Sequence, residues 1–300
     1  MQAIDRRKYI TGTDAGVICG ASPWKSPVQL WQEKLGLLEP EDISSKPVVM
    51  AGIHLEVGVV SYFEAVTKLK TEKPDGYAVH PDFPFIAGSI DRWIEGREAI
   101  LECKTAHKTD AWGDDDNRFP EHYLLQIAHY CMLHNINKCY LAVFFLNTYE
   151  FKVYTYDRDM RLESLLLDKE LAFWDMVQSK TAPEPANHED IRALYPASSN
   201  APPVVATQRI YTTVQEMQSI NDNIDGLEAR LKRYKDEISL FMGNSEKLIG
   251  PCGKTLATHK YTKAVNRLDT ELLKRSNPTA YNSCLKEGAP SRRFVLTKGD

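Results

Sequence analysis

The stretch IAGSIDRWIEGREAILECKT, residues 86–105, decides how the rest of the chain is read. It ends in an apolar pair, Ile100-Leu101, followed by Glu102 and Lys104 one residue apart. In a strand, side chains two apart share a face, so Glu102 and Lys104 point the same way. Asp91 lies upstream, across a turn supplied by Glu95-Gly96, a pair suited to a hairpin. Pairing the two strands brings the Asp91 carboxylate beside that of Glu102. Two converging carboxylates make a hard oxygen site suited to Mg²⁺ or Mn²⁺. An adjacent ammonium can hold a water or steady charge building on a phosphate. Glu-x-Lys on an exposed strand is also an ordinary solvated charge pair, so the remainder of the chain has to decide.

Three hundred residues accommodate one large or two modest domains with a sizeable core. A hydrophobic content of 43% and a charged content of 26% are ordinary for a soluble globular protein. The net charge of -4 neither requires nor excludes nucleic acid, because a local basic channel is compatible with an acidic chain. No apolar run of membrane-spanning length stands out, and the first residues, MQAIDRRKYI, lack a signal-peptide apolar region. No membrane partner and a cytoplasmic location are therefore expected. The six cysteines form no Cys-x-x-Cys pair, which sets aside zinc-ribbon spacing and leaves reduced thiols as the expectation.

Along the chain, RRKYITGT (residues 6–13) leads into DAGVICGASPWKSPVQLWQEKLG (14–36). Asp14 is expected to cap a short helix over 15–19. Residues 20–23 break it, and Pro27 suits the first turn of a second helix bearing Leu30, Trp31 and Leu35. Arg6 and Thr13 suit a bound phosphate, since an Arg fork and a hydroxyl at a helix start favour an anion; by themselves these two residues read more readily as a surface arginine beside a capping threonine. Trp24 and Trp31 are expected in the core. Residues 49–68 predict a helix with Ile53, Val57, Val60, Phe63 and Ala65 at helical spacing. On it Glu56 is either a third metal ligand or a boundary residue.

Short strands are expected at 77–80 and 85–90, and the acidic run Asp114-Asp115-Asp116 reads as a mobile loop. PEHYLLQIAHYCMLHN (120–135) predicts a helix with Gln126 and Tyr130 on one face. CYLAVFF (139–145) reads as a central strand, with 150–156 beside it, and 159–179 as an amphipathic helix. Pro, Ala, Ser and Asn accumulate from 181 to 207. The expected organisation is a domain over 1–185, a linker over 186–206 and an extension over 207–300. That extension opens with a long helix whose apolar residues, from Ile210 to Phe241, form a coiled-coil-like seam with Gly226 as its weak point. From residue 246 onward it holds eleven Lys/Arg against five Asp/Glu, with a hairpin near 250–260. Such a tail suits a DNA backbone or is simply a solvated face.

These motifs, taken in order, resemble the YqaJ-like phage recombinase family, relatives of phage lambda exonuclease within the PD-(D/E)XK nucleases. Arg6 and Ile10-Thr11-Gly12-Thr13 look like the family's Arg…Ile-Thr-Ala-Ser segment. Gly20-Ala21-Ser22-Pro23-Trp24 through Leu35-Gly36 looks like its Gly-x-Ser-Pro-aromatic block, and Gly52 through Glu56 like its Gly-x-x-x-Glu helix. Ala87-Gly88-Ser89-Ile90-Asp91 stands where the family has Ser-Pro-Asp-Gly. Glu102-Cys103-Lys104 matches its Glu-x-Lys, and Tyr123-Leu124-Leu125-Gln126 its Tyr-x-x-Gln. Gln126 and Tyr130 also look like the Gln-x-x-x-Tyr motif of RecB-type nucleases. Two positions depart from the pattern: Ile90 and Arg92 replace small residues beside the Asp, and Thr105-Ala106 replaces Cys-Pro.

The resemblance implies an α/β (α+β) fold with a PD-(D/E)XK restriction-endonuclease-like core, a central mixed sheet flanked by helices, extended here by a mainly helical C-terminal part. It implies a Mg²⁺-dependent exonuclease, with Mn²⁺ as substitute and two ions bound, resecting double-stranded DNA ends 5′ to 3′. Asp91, Glu102 and Glu56, with the carbonyl of Cys103, would hold metal. Lys104 and Gln126 would position water and stabilise the phosphate, with Tyr130 supporting Gln126. Arg6, Thr13 and Ser22 would hold a terminal 5′-phosphate. It further implies a single-strand annealing protein as partner, a homotrimer, and a phage- or prophage-encoded origin. Two rival readings are an endonuclease on the same core and an inactive DNA-end or annealing-protein binding module.

Overall fold

The computed structural model describes residues 5–113, 118–196, 202–263, 265, 267–286 and 292–297. The acidic run Asp114-Asp115-Asp116 lies outside the described residues. The chain divides into two units, Met1–Tyr195 and Pro196–Asp300. The first contains α1 (Gly12–Ile18), α2 (Pro27–Lys34), α3 (Pro47–Thr67), β1 (Thr71–Glu72), β2 (Ala78–Val79), β3 (Ala87–Gly88), β4 (Arg92–Ile94), β5 (Ile100–Ala106), α4 (Glu121–His134), β6 (Lys138–Phe145), β7 (Phe151–Asp157), α5 (Met160–Ser179) and α6 (His188–Leu194).

The main sheet has the order β1-β4-β5-β6-β7, and only the β5–β6 pair is parallel. This is a mixed α/β unit with a central mixed sheet flanked by helices. Strand alternation sorts its two faces. Ile100, Leu141, Val143 and Tyr154 meet Ile127 and Cys131 of α4 and Leu166 of α5 in one cluster. Leu101 and Ala142, on the opposite face, meet Val59, Val60 and Phe63 of α3 in another. A third cluster ties α1 and α2 to α5 through Val17, Leu30, Trp31, Phe173 and Val177.

Several local expectations shift. The first helix starts at Gly12, three residues before the expected 15–19 segment. Thr11 stands at its cap, and the Asp14 carboxylate accepts the Thr11 N–H at 2.9 Å. Asp14 is therefore the returning partner of a capping box and not the cap itself. The strands expected at 77–80 and 85–90 shrink to two residues each, paired apart from the main sheet. Trp31 is buried, with its indole N–H donating to the Met176 carbonyl at 3.1 Å. Trp24 is 72% exposed, against the expectation of a core position; it falls in the break between α1 and α2, where the His122 ring of α4 meets it edge to face and leaves most of it uncovered.

In α3, Val60 and Phe63 are buried as their spacing predicts, but Ile53 and Val57 are exposed. Helical spacing identifies a face without saying how far the covering sheet extends: only the second half of α3 packs on it. By length and composition this helix of 21 residues is apolar enough to cross a membrane, where no such run stood out in the sequence. Only 17% of its most apolar stretch is buried, and its second half packs on the sheet.

Residues 188–194, inside the expected linker, are helix α6. Its Asp190 is fully buried and accepts from the Ser26 hydroxyl and the Ala186 N–H. Composition alone could not register this buried anchor.

The second unit opens with α7 (Gln208–Met242), continuous through Gly226, and follows with β8 (Lys247–Ile249), β9 (Thr255–Thr258), α8 (Thr270–Ser276) and α9 (Pro278–Ser283). β8 and β9 form an antiparallel hairpin, beginning before the expected 250–260 segment. Along α7 the seam residues Ile210, Ile224, Leu227, Leu231, Tyr234 and Phe241 are exposed.

Candidate nuclease site

The site grows from where β4 stops. Its pairing with β5 ends at Arg92 opposite Leu101, so the Cys103 N–H has lost its strand partner on that side. A buried backbone donor must be satisfied, and the Asp91 carboxylate takes it at 2.7 Å. This bond sets Asp91 beside Glu102, as the hairpin argument required. Glu102 is buried and shares its face of β5 with Lys104, whose ammonium donates to Glu102 Oε1 at 2.6 Å. From α4, Gln126 Nε2 donates to the same oxygen at 2.9 Å and to the Tyr130 hydroxyl at 3.1 Å. Gln126 and Tyr130 thus lie on one face of α4, as their spacing predicted. The Tyr130 ring sits so close to two backbones that only glycine fits there: a Cβ on Gly12 would lie 2.5 Å from it, and one on Gly88 2.9 Å.

Charge is unevenly compensated here. Burial and the neighbouring Glu102 push the Asp91 carboxyl up to about 8, despite Lys104 and the Cys103 N–H. Burial disfavours the Lys104 ammonium, yet Glu102 and Asp91 outweigh it and hold the group above its ordinary range. Lys104 therefore stays a cation and a donor across neutral pH.

Glu56, Asp91, Glu102, Cys103 and Lys104 all line one cavity of about 370 Å³ beneath the first half of α3. Among the described residues no three His, Cys, Asp or Glu side chains converge closely enough to hold an ion. Glu56 Oε1 is instead paired with Arg92 Nη1 at 2.9 Å, and Arg92 also donates to the Asp91 carbonyl. The arginine that departs from the family pattern thus engages the third carboxylate. In chemistry the donors still fit a hard divalent ion, being oxygens around a carboxyl whose burial and carboxylate neighbour Lys104 offsets only in part.

A second cavity, about 490 Å³, opens on the other side of Lys104 and Gln126. Arg6, Thr13 and Ser22 line it together. Arg6 Nη2 donates to Thr13 Oγ1 at 2.7 Å and to Thr11 Oγ1 at 3.1 Å. Other cations on this wall are engaged by carboxylates: Arg7 with Asp5 at 3.0 Å, Lys25 with Glu33 at 2.6 Å, and the buried Lys34 with Asp14 at 2.8 Å. Trp24 and His122 also line this cavity, and neither was singled out from sequence as part of a site. Placement in the Gly-x-Ser-Pro-aromatic block was the one signal for Trp24; His122 carried none, since one histidine on a helix start is ordinary.

Residues 4–136, which carry all of these side chains, match the model of the YqaJ-like viral recombinase domain. The chain is 32% identical to YqaJ of Bacillus subtilis (strain 168) over 302 residues, covering 98% of this chain and 92% of that relative. It belongs to the YqaJ-like viral recombinase family. Solved structures similar in shape to this family member include an alkaline exonuclease from Laribacter hongkongensis, at 12% identity and a TM-score of 0.45 over 58% of this chain and 90% of that one. A phage-related exonuclease from Haemophilus somnus 129PT matches at 13% identity and a TM-score of 0.42, over 58% of this chain and 96% of that one.

Proposed function

We propose that this YqaJ-family protein is a Mg²⁺-dependent deoxyribonuclease that digests duplex DNA from its ends, 5′ to 3′, leaving a 3′ single strand for an annealing protein. The observation that carries the reading is the placement of Asp91, Glu102 and Lys104 in one cavity, with Asp91 fixed by the Cys103 N–H. Asp91, Glu102 and the Cys103 carbonyl, joined by Glu56 on release from Arg92, would hold Mg²⁺ or Mn²⁺, two ions in the arrangement the resemblance implies. When bound, such ions polarise the phosphate and lower the pKa of water.

The chain's own groups have separable tasks. Lys104, kept protonated by Glu102 and Asp91, does not take a proton; it donates to the phosphate oxygen where charge builds. Gln126, anchored by Tyr130, orients the water. Water adds its oxygen to phosphorus and loses a proton to solvent, while the P–O3′ bond breaks and O3′ leaves, taking a proton from solvent. The new end keeps its 5′-phosphate and so remains a substrate. Arg6 and Thr13, with Ser22, hold that phosphate in the second cavity, which would set the polarity.

The test incubates linear duplex bearing 5′-phosphate or 5′-hydroxyl ends, and a covalently closed circle, with Mg²⁺, Mn²⁺ or EDTA. Degradation of the phosphorylated linear duplex alone, dependent on metal and lost in Lys104→Ala, supports the proposal. Cutting of the circle replaces it with an endonuclease, and binding without cleavage replaces it with a binding module. Sedimentation of the full chain tests the homotrimer that the same resemblance suggests.

A further inference from the structure

α7 runs for 35 residues, and among the described residues its one buried side chain is Met242. Helices of globular proteins draw most of their stability from a packed apolar face, so a free helix of this length lacks its usual support. Its sequence nevertheless supplies such a face. Positions 210, 217, 224, 231 and 238 recur every seven residues, and positions 213, 220, 227, 234 and 241 stand three further on. All are aliphatic or aromatic except Thr213, and those apolar side chains are between 39% and 80% exposed. Gly226 lies off this seam.

A repeat of 3.5 residues kept along the whole of α7 fits a partner that winds around it, which is another long helix. The helices described after it, α8 and α9, have seven and six residues and are too short to cover it. Charge selects the occupant. Residues 216–228 carry Glu216, Asp222, Asp225 and Glu228 with no Lys or Arg. Residues 229–235 carry Arg230, Lys232, Arg233 and Lys235 with no Asp or Glu. The helix thus holds both halves of a complementary pair in adjacent blocks.

Two copies laid parallel and in register would stack acid on acid and base on base. They would also bring Arg230 of one helix to Lys235 of the other along the flank of the seam. Two copies laid antiparallel set each acidic block beside the other copy's basic block. With Met217 opposite Phe241 and Leu227 opposite Leu231, every layer between 217 and 241 is apolar, and Thr213 falls outside the contact.

We infer that α7 pairs antiparallel with α7 of a second copy of this chain, through the seam from Met217 to Phe241. The contact is two-fold and self-complementary, so it closes on two copies. It stands apart from the nuclease reading, and from the homotrimer that the family resemblance suggests: were the chain also to assemble in threes, this contact would double that mass.

The test compares sedimentation equilibrium of the full chain with that of Ile224→Glu/Leu231→Glu. The wild type should have twice the mass of the variant, whose pairing is weakened roughly a hundredfold or more, the scale for burying unpaired carboxylates. Direction is read by disulfide trapping, with the exposed Cys252 and Cys284 changed to serine. Leu227→Cys and Leu231→Cys should each stay unlinked when expressed alone and form a disulfide-linked pair when co-expressed. These two changes are mild enough to leave the helix in place. Linking of either variant to itself shows a parallel bundle and overturns the proposal. Equal mass of wild type and double-glutamate variant overturns it too, as does an unlinked co-expressed pair; none of these touches the nuclease reading.

Discussion

Lys104 stands between two cavities that differ in almost everything else. On one side the walls are carboxylates, Asp91, Glu102 and Glu56, with Arg92 set among them. On the other, carboxylates (Asp14, Glu33, Glu41) stand among the cations Arg6, Arg7, Lys25 and Lys34, with the Thr13 and Ser22 hydroxyls and the Trp24, His122 and Tyr123 rings. The acidic side is under-compensated: burial and Glu102 hold Asp91 at about 8. The basic side is largely compensated, with Lys25 and Lys34 each tied to a carboxylate and Arg6 hydrogen-bonded to the Thr11 and Thr13 hydroxyls. The difference teaches that the two sides are tuned for opposite ligands. One gains by accepting a cation, the other by accepting a single anion at Arg6, and a phosphodiester held at Lys104 would face both.

The sharpest way to break this division is Lys104→Ala, which removes the one group common to both sides. The cleavage rate on linear duplex is expected to fall by roughly 10²-fold or more, the scale for losing a charge-stabilising donor, with DNA-end binding largely retained by anisotropy. An unaltered rate would deny Lys104 its role. Next, Arg92→Gln should free Glu56 and make the acidic side more negative. Mn²⁺ binding without DNA, followed by calorimetry, is expected to tighten by about tenfold, the scale of one charge-assisted hydrogen bond. In a Glu56→Gln background the same substitution should do much less; an equal gain there would show that Arg92 acts through general charge and not through Glu56.

On the basic side, Arg6→Ala should cost several-fold in the preference for 5′-phosphate over 5′-hydroxyl ends, roughly the worth of one charged hydrogen bond. It should leave Mn²⁺ binding unchanged, which is the cleanest separation of the two sides. The smallest effect concerns the scaffold behind both. His129 is fully buried on α4, with Nδ1 2.8 Å from Glu170 Oε1 and Nε2 3.2 Å from the Ala87 carbonyl. Burial opposes its charged form, but Glu170 and the Ala87 carbonyl outweigh that and raise its pKa. A raised folded-state pKa contributes stability that is complete below the unfolded value, near 6.5 by the general scale. That contribution is lost as pH rises through the folded-state value. Thermal melts from pH 6 upward should therefore show a modest decline in the wild type that is absent in His129→Gln; parallel curves would remove this pair from the account.

Much of the acidic side was legible because its determinants are local. Alternation on β5 sends Glu102 and Lys104 to one face, and a hairpin returns Asp91 to them; helical spacing does the same for Gln126 and Tyr130. Arg92 was visible as a departure from the family pattern, but its partner Glu56 lies 36 positions earlier in the chain, on α3. No periodicity relates a strand start to the middle of a distant helix. Trp24 was misplaced for a related reason: an indole is usually buried, and nothing in the loop that bears it says that one ring of a distant helix will leave it largely uncovered. The anchoring of α6 by Asp190 to Ser26 went unseen because a Pro- and Ala-rich composition does not reveal one buried carboxylate.

The sequence by itself determined the family, the mixed α/β class and the chemical character of the acidic cluster, because periodicity, turn residues and ordered motifs are written over a few neighbouring positions. Only the tertiary structure decided that Arg92 occupies Glu56, that Lys104 serves two cavities, and that Trp24 opens onto one of them. Those facts depend on which surfaces of distant segments are left uncovered once the sheet has closed on its helices, a property of the packed whole that no local pattern carries.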